Sequence, residues 1–165
     1  MPGAHRPTII VLTLATCLFS SALPAADTAT QRITIEVKPI DEIALTGERP
    51  TLTIGTATAG EAPAAVTADG GAYAITTNGS DRKITASIAK ALPPGVTLSV
   101  AMDAPAGGTS LGWQALSAAP AELVTGITRI AQSGIPVRYR LAATLDAGIL
   151  SVKTETVTLT IADGS

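Results

Sequence analysis

Five residues carry the side-chain chemistry to be weighed in this chain: Asp69, Asp103, Trp113, Arg138 and Arg140. Arg138 and Arg140 flank Tyr139 in an alternating run, so on a strand both guanidinium groups leave the same face and could grip a carboxylate or a sulfated sugar. Arg129 could join them from a neighbouring strand. The plainer account is a solvated strand face whose charges discourage edge-to-edge association. Trp113 stands near Gly107-Gly108 and Gly112, where an indole can be a platform for a sugar ring or can cap the core at a loop–strand junction. Asp69-Gly70-Gly71, Asp81 and Asp103 fall in loop-forming stretches, and oxygen ligands from two loops at one end of a sandwich would suit calcium. No run resembles D-x-D-x-D-G, and aspartate is a turn former in its own right. Asp41-Glu42 point to opposite faces of a strand and read as a solvated strand entry. Asn78-Gly79-Ser80 matches the glycosylation acceptor triplet and reads as a turn.

The N-terminus narrows the chemistry further. A short polar start with Arg6, an apolar run from Thr8 to Phe19 and the small-residue exit Ser20-Ser21-Ala22-Leu23-Pro24-Ala25-Ala26 form a secretory signal peptide over residues 1–26, cleaved after Ala26 or Ala25. The run is shorter than the roughly 20 residues of a spanning helix. Leu14-Ala15-Thr16-Cys17 offers a competing reading as a lipoprotein cleavage site, with Thr16 a poor residue before the cysteine. His5 and Cys17 are the only residues of their kinds, so the mature chain has neither imidazole nor thiol. It has no means to build a Ser-His-Asp or Cys-His site, a zinc site of the usual ligands, or a disulfide. Net charge is −2 and the eleven Lys and Arg are scattered, which gives no basic stripe for nucleic acid. The expectation is an exported protein of the periplasm, cell surface or extracellular space, without catalytic residues and without a cofactor other than a conceivable calcium ion.

The elements that must position these residues are strands. Arg32 to Lys38 alternates, with Ile33, Ile35 and Val37 on one face, and predicts a half-buried first strand ended by Pro39. Short extended pieces follow at 42–46 and 51–54, then an Ala-, Gly- and Thr-rich loop over 57–70 with a strand near Val66. Residues 71–77 and 83–88 flank Asn78-Gly79-Ser80-Asp81 and predict a hairpin. Val96 to Met102 alternates again, followed by a loop over 103–112 and a short piece at 114–116. Glu122 to Ile130 reads either as a strand with a bulge at Gly126 or as a short helical turn. Ile135 to Ala143 predicts a strand with Pro136 near its start, and Glu155 to Ile161 predicts the last. About eight short strands separated by turn residues indicate an all-β, antiparallel, Ig-like or Greek-key sandwich over residues 27–165.

Tyr73-Ala74-Ile75-Thr76-Thr77-Asn78-Gly79, Leu92-Pro93-Pro94-Gly95-Val96-Thr97-Leu98, Leu123-Val124-Thr125-Gly126-Ile127 and Val157-Thr158-Leu159-Thr160-Ile161 resemble stretches of small exported bacterial β-sandwich proteins. Their order and spacing are loosely similar to WxL-type surface domains and fimbrial-subunit-like sandwiches. Trp113-Gln114-Ala115-Leu116 is Trp-x-x-Leu rather than Trp-x-Leu, so no attachment function carries over, and the resemblance supplies no functional residue. It implies a non-enzymatic surface or extracellular structural or adhesion-type protein, a subunit whose partners are other envelope proteins or its own copies. Ile33 to Val37 could then add to a neighbour's sheet edge, or pair within its own domain. The alternative is a carbohydrate- or calcium-binding module using the loops around Asp69, Asp103 and Trp113.

Overall fold

The computed structural model describes Thr28 and residues 30–164. The leader reading over residues 1–26, with His5 and Cys17, lies outside the described residues. The chain divides into two units, Met1–Glu36 and Val37–Ser165. In the first, the described residues are exposed and pair with no sheet. This corrects the expected half-buried first strand: Ile33 and Ile35 are 75% and 84% exposed, and Val37, which opens the second unit, is 78% exposed. Period-two alternation is a local property of the chain, whereas a strand exists only where a neighbour supplies hydrogen bonds.

The second unit is all-β. Among its described residues nine strands run as β1 (Asp41–Thr46), β2 (Val66–Thr77), β3 (Arg82–Ile88), β4 (Val96–Met102), β5 (Thr109–Ser110), β6 (Gln114–Ala115), β7 (Ala121–Ile127), β8 (Ile130–Ala143) and β9 (Val157–Asp163), with one 3₁₀ turn at Leu145–Ala147. They form two antiparallel sheets, ordered β1-β2-β8-β4-β6 and β5-β7-β3-β9. The extended piece expected at 51–54 is not a strand, although Leu52 still packs on the core. Of the stretch Glu122 to Ile130, the part to Ile127 is strand β7, while Thr128 and Arg129 turn the chain into β8 at Ile130. Val124 and Ile127 of β7 face Ile84 and Arg82, which leaves two residues of β7 opposite one of β3, with Gly126 at φ +71°: a bulge where the spacing placed it.

The expected hairpin across Asn78-Gly79-Ser80-Asp81 is not formed, because β2 and β3 belong to different sheets. Asn78 continues the β1–β2 ladder instead. Its N–H donates to the Ile40 carbonyl at 3.2 Å, its side-chain oxygen accepts from the Ile40 N–H at 2.9 Å, and its amide nitrogen donates to the Lys38 carbonyl at 2.8 Å. The chain then turns across the sandwich through Asp81 at φ +51°. Gly79 leaves this corner open to the Arg82 side chain: a Cβ there would stand 2.5 Å from Arg82 Nε, which would have to move aside. A turn-forming dipeptide thus makes a corner between layers rather than a bend within one.

Pro136 is also not at the start of its strand. It lies within β8 opposite Ala72, beside the irregularity between Asp69 and Ala72 in the β2–β8 ladder. A missing N–H costs least where the ladder is already broken. The same irregularity lets β2 pass close to the end of β1. Gly71 sits at φ +80°, and a Cβ there would land on the Thr46 carbonyl oxygen.

The core lies between the sheets. Tyr73 and Ile75 of β2, Val137 and Tyr139 of β8 and Val100 and Met102 of β4 meet Ile84, Ala86 and Ile88 of β3 and Leu123, Val124 and Ile127 of β7. β2, β3, β4 and β8 contribute alternate residues, as a sheet with one buried face must, whereas β7, interrupted by its bulge, buries the adjacent Leu123 and Val124. Two tyrosines take the place of larger apolar rings. Tyr73 is fully buried and donates its hydroxyl to the Asp103 carbonyl at 2.8 Å.

Burial raises the Tyr73 phenol above its ordinary value, the negative charge of Asp103 adds to this, and burial also raises that of Tyr139. In the unfolded chain both ionise near pH 10, so above that pH the folded state holds more protons than the unfolded one. The stabilising contribution is therefore complete below about pH 10 and is lost as pH rises toward the folded values. The melting temperature should fall steadily from about pH 10 upward, and Tyr73→Phe should reduce that slope in a pH series followed by circular dichroism.

Candidate functional site

The five candidate residues converge on the outer face of the five-stranded sheet. Val100 and Met102 of β4 face the core, so Ser99, Ala101 and Asp103 face outward. Arg138 and Arg140 alternate with Val137 and Tyr139 in the same way on β8. Register brings them together. Asp69 of β2 lies opposite Arg138, and Thr67 opposite Arg140, while Arg138 faces Ala101 and Arg140 faces Ser99 on β4. On β6, Ala115 faces Ser99, which places Trp113, two residues before it, beside Ala101 on the same surface.

Both arginines reach diagonally across this face. The Arg140 guanidinium lies over the Trp113 ring, 4.7 Å from its centroid, and Arg138 donates to Asp103 Oδ1 at 2.9 Å. The small residues beneath are covered as a result. Ser99 and Ala101 are only 5% exposed, though they point away from the core and do not belong to its cluster. Trp113 is half-buried on this face and likewise lies outside the core cluster, so it does not cap the core. Arg129 does not join the group: it sits in the turn between β7 and β8 at φ +44°, where its N–H donates to the Gly79 carbonyl.

The aspartates are engaged locally. Asp69 Oδ1 accepts the Gly71 N–H at 2.9 Å, a side-chain turn that closes the glycine irregularity. Asp103 is held by Arg138 and, through its carbonyl, by Tyr73. Among the described residues no group of three or more metal-ligating side chains converges. An open cleft of about 360 Å³ lies beside Asp69, lined by Glu48, Arg49, Pro50, Thr51, Ala68 and Gly71.

A second cluster was not foreseen. Arg82 of β3 pairs with Asp41 Oδ2 of β1 at 3.0 Å and with Asp163 of β9, while the Thr77 hydroxyl donates to Asp41 Oδ1 at 2.6 Å. Asp41 is therefore a structural anion, not the solvated strand entry that its neighbour Glu42 made it resemble. Nothing in the spacing of 41, 82 and 163 announces this, because the cluster exists only once three strands from two sheets are aligned. Its parts hold the fold together and leave no free group for proton transfer or nucleophilic attack.

No family model, curated protein or solved structure matches this chain. What the outer face can do chemically follows from its own composition: it offers cationic and aromatic surface to an anionic or ring-bearing partner. The exposed Arg138–Asp103 pair adds about 0–1 kcal/mol to stability. The Arg140–Trp113 contact adds about 0.5–1 kcal/mol. As the chain has one tryptophan, its emission reports this contact directly. Arg140→Ala should red-shift the emission and lower stability by about 1 kcal/mol at most, whereas Arg138→Ala should leave the spectrum unchanged.

Proposed function

We propose that this chain is an exported, non-enzymatic surface or extracellular protein of Ig-like type that acts by contact, as a structural or adhesion-type subunit of an envelope assembly. The observation that carries this reading is the amount of apolar chain left exposed outside the strands. Ile33, Ile35 and Val37 precede it, and Ile149, Leu150 and Val152 lie in the connection before β9; all are exposed, Ile149 and Val152 fully so. Scattered single apolar side chains on a surface are ordinary. One run of them at strand spacing, Ile33 to Val37, and a second exposed apolar stretch before β9 are a means of association. The leader sequence and the loss of His5 and Cys17 with it support export and a contact role. Light scattering coupled to gel filtration of the protein released from its native envelope without boiling, with electron microscopy of the same fractions, should show multiples of the chain or fibres. A single monomeric peak rejects the reading.

A second reading rests on the convergence of Trp113, Arg138 and Arg140 on one sheet face: a module binding acidic or sulfated carbohydrate. Titration with a sulfated glycan should then change the Trp113 emission saturably, and Arg138→Ala should weaken the response at least tenfold. An unchanged spectrum across the titration excludes it.

A further inference from the structure

The edge strand β9 is incompletely covered. It ends its sheet, pairing with β3 on one side only. Its inward residues Val157, Leu159 and Ile161 pack against the core but remain half-buried, whereas Ile84, Ala86 and Ile88 opposite them on β3 are buried. Three apolar side chains at alternate positions thus border a row of unpaired backbone groups. The segment Arg32–Lys38 has the complementary form, with Ile33, Ile35 and Val37 at the same alternate spacing, each at least 75% exposed. Arg32 and Lys38 end it with positive charge; the carboxylates beside β9, Glu155 and Asp163, are already paired with Lys153 and Arg82 of their own chain, so the match between the two strands is one of apolar spacing.

The chain's own entry into β1 bears on which copy supplies this segment. Ile40 stands opposite Asn78, one step beyond the Asp41–Thr77 pair, and Asn78 also binds the Lys38 carbonyl. Lys38 to Ile40 are therefore held in line with β1, without the reversal that a return onto the same sandwich would need. We propose that residues 32–38 of one copy add as an extra strand to the free edge of β9 in a second copy, seating Ile33, Ile35 and Val37 over Val157, Leu159 and Ile161. Main-chain hydrogen bonds would supply affinity and the three alternate side chains the register. With Ile35 centred on Leu159, Glu36 falls opposite Thr158 if the added strand is antiparallel and opposite Thr160 if it is parallel. This deepens the assembly reading above and rests on it.

Because both cysteine-free partners can be labelled at will after leader removal, the test is disulfide trapping in the processed, exported protein. A chain carrying Glu36→Cys is mixed under mild oxidation with one carrying Thr158→Cys or Thr160→Cys. The proposal expects a cross-linked heterodimer in one of the two mixtures, reduced at least tenfold when Ile35→Asp is added to the first chain. Circular dichroism and melting of Ile35→Asp should match the unaltered protein, since residue 35 lies outside the sandwich. No heterodimer in either mixture, or a cross-link indifferent to Ile35→Asp, overturns it. If assemblies persist in light scattering while trapping fails, this contact is wrong and the assembly reading stands; if the unaltered protein is monomeric, both fall.

Discussion

A single guanidinium ties the two layers of this sandwich at their open side. Arg82 leaves β3 and meets carboxylates from the outermost strand of each sheet, Asp41 on β1 and Asp163 on β9. Gly79 gives it room, Thr77 holds Asp41 in position, and its Nε is buried without a partner. Removing Arg82 would leave the largely buried Asp41 carboxylate without its counter-charge, which costs more than losing an exposed pair. The corner from Asn78 to Arg82 is therefore where the assignment of strands to sheets is decided. Once β2 and β3 part company there, β2 takes β1 and β8 as neighbours and β3 takes β7 and β9.

The outer face of the larger sheet follows from that partition. The pairing of β8 with both β2 and β4 brings Asp69, Arg138 and Ala101 into one row across three strands, with Trp113, just ahead of β6, beside them. Small side chains on β4 leave room for Arg140 to lie over Trp113 and for Arg138 to reach Asp103, and Ser99 and Ala101 are buried beneath on a surface that faces away from the core. Guanidinium over indole and guanidinium against carboxylate are both directional contacts, so the face presents a fixed arrangement of charge.

Much of the strand content was legible because alternation is written locally: Val96–Met102, Arg82–Ile88, the run ending at Ala143 and the final strand all stand near their expected places. The bulge at Gly126 was legible for the same reason. What alternation does not encode is the partner. Ile33 to Val37 has the pattern of a strand without a neighbour, and Asn78-Gly79 has the pattern of a hairpin turn but joins two sheets. The two arginines on one face could be read from their spacing. Their convergence with Trp113 and Asp103 required the register of three strands, and the Arg82 cluster required two sheets, information that no window of sequence contains.

Lys38 to Ile40 enter beside Asn78, and the far end of β9 finishes at the same corner, where the Gly164 N–H donates to the Asp81 carbonyl at 2.7 Å. The sandwich is thus gripped at both of its ends within one turn of chain. Tension drawn through those two ends would first load the Asn78 bonds to Lys38 and Ile40 and the Gly164–Asp81 bond, and then the Arg82 clamp. Beyond it, β1 would peel from β2 one hydrogen bond at a time, where a pull along the strands would have to break many together.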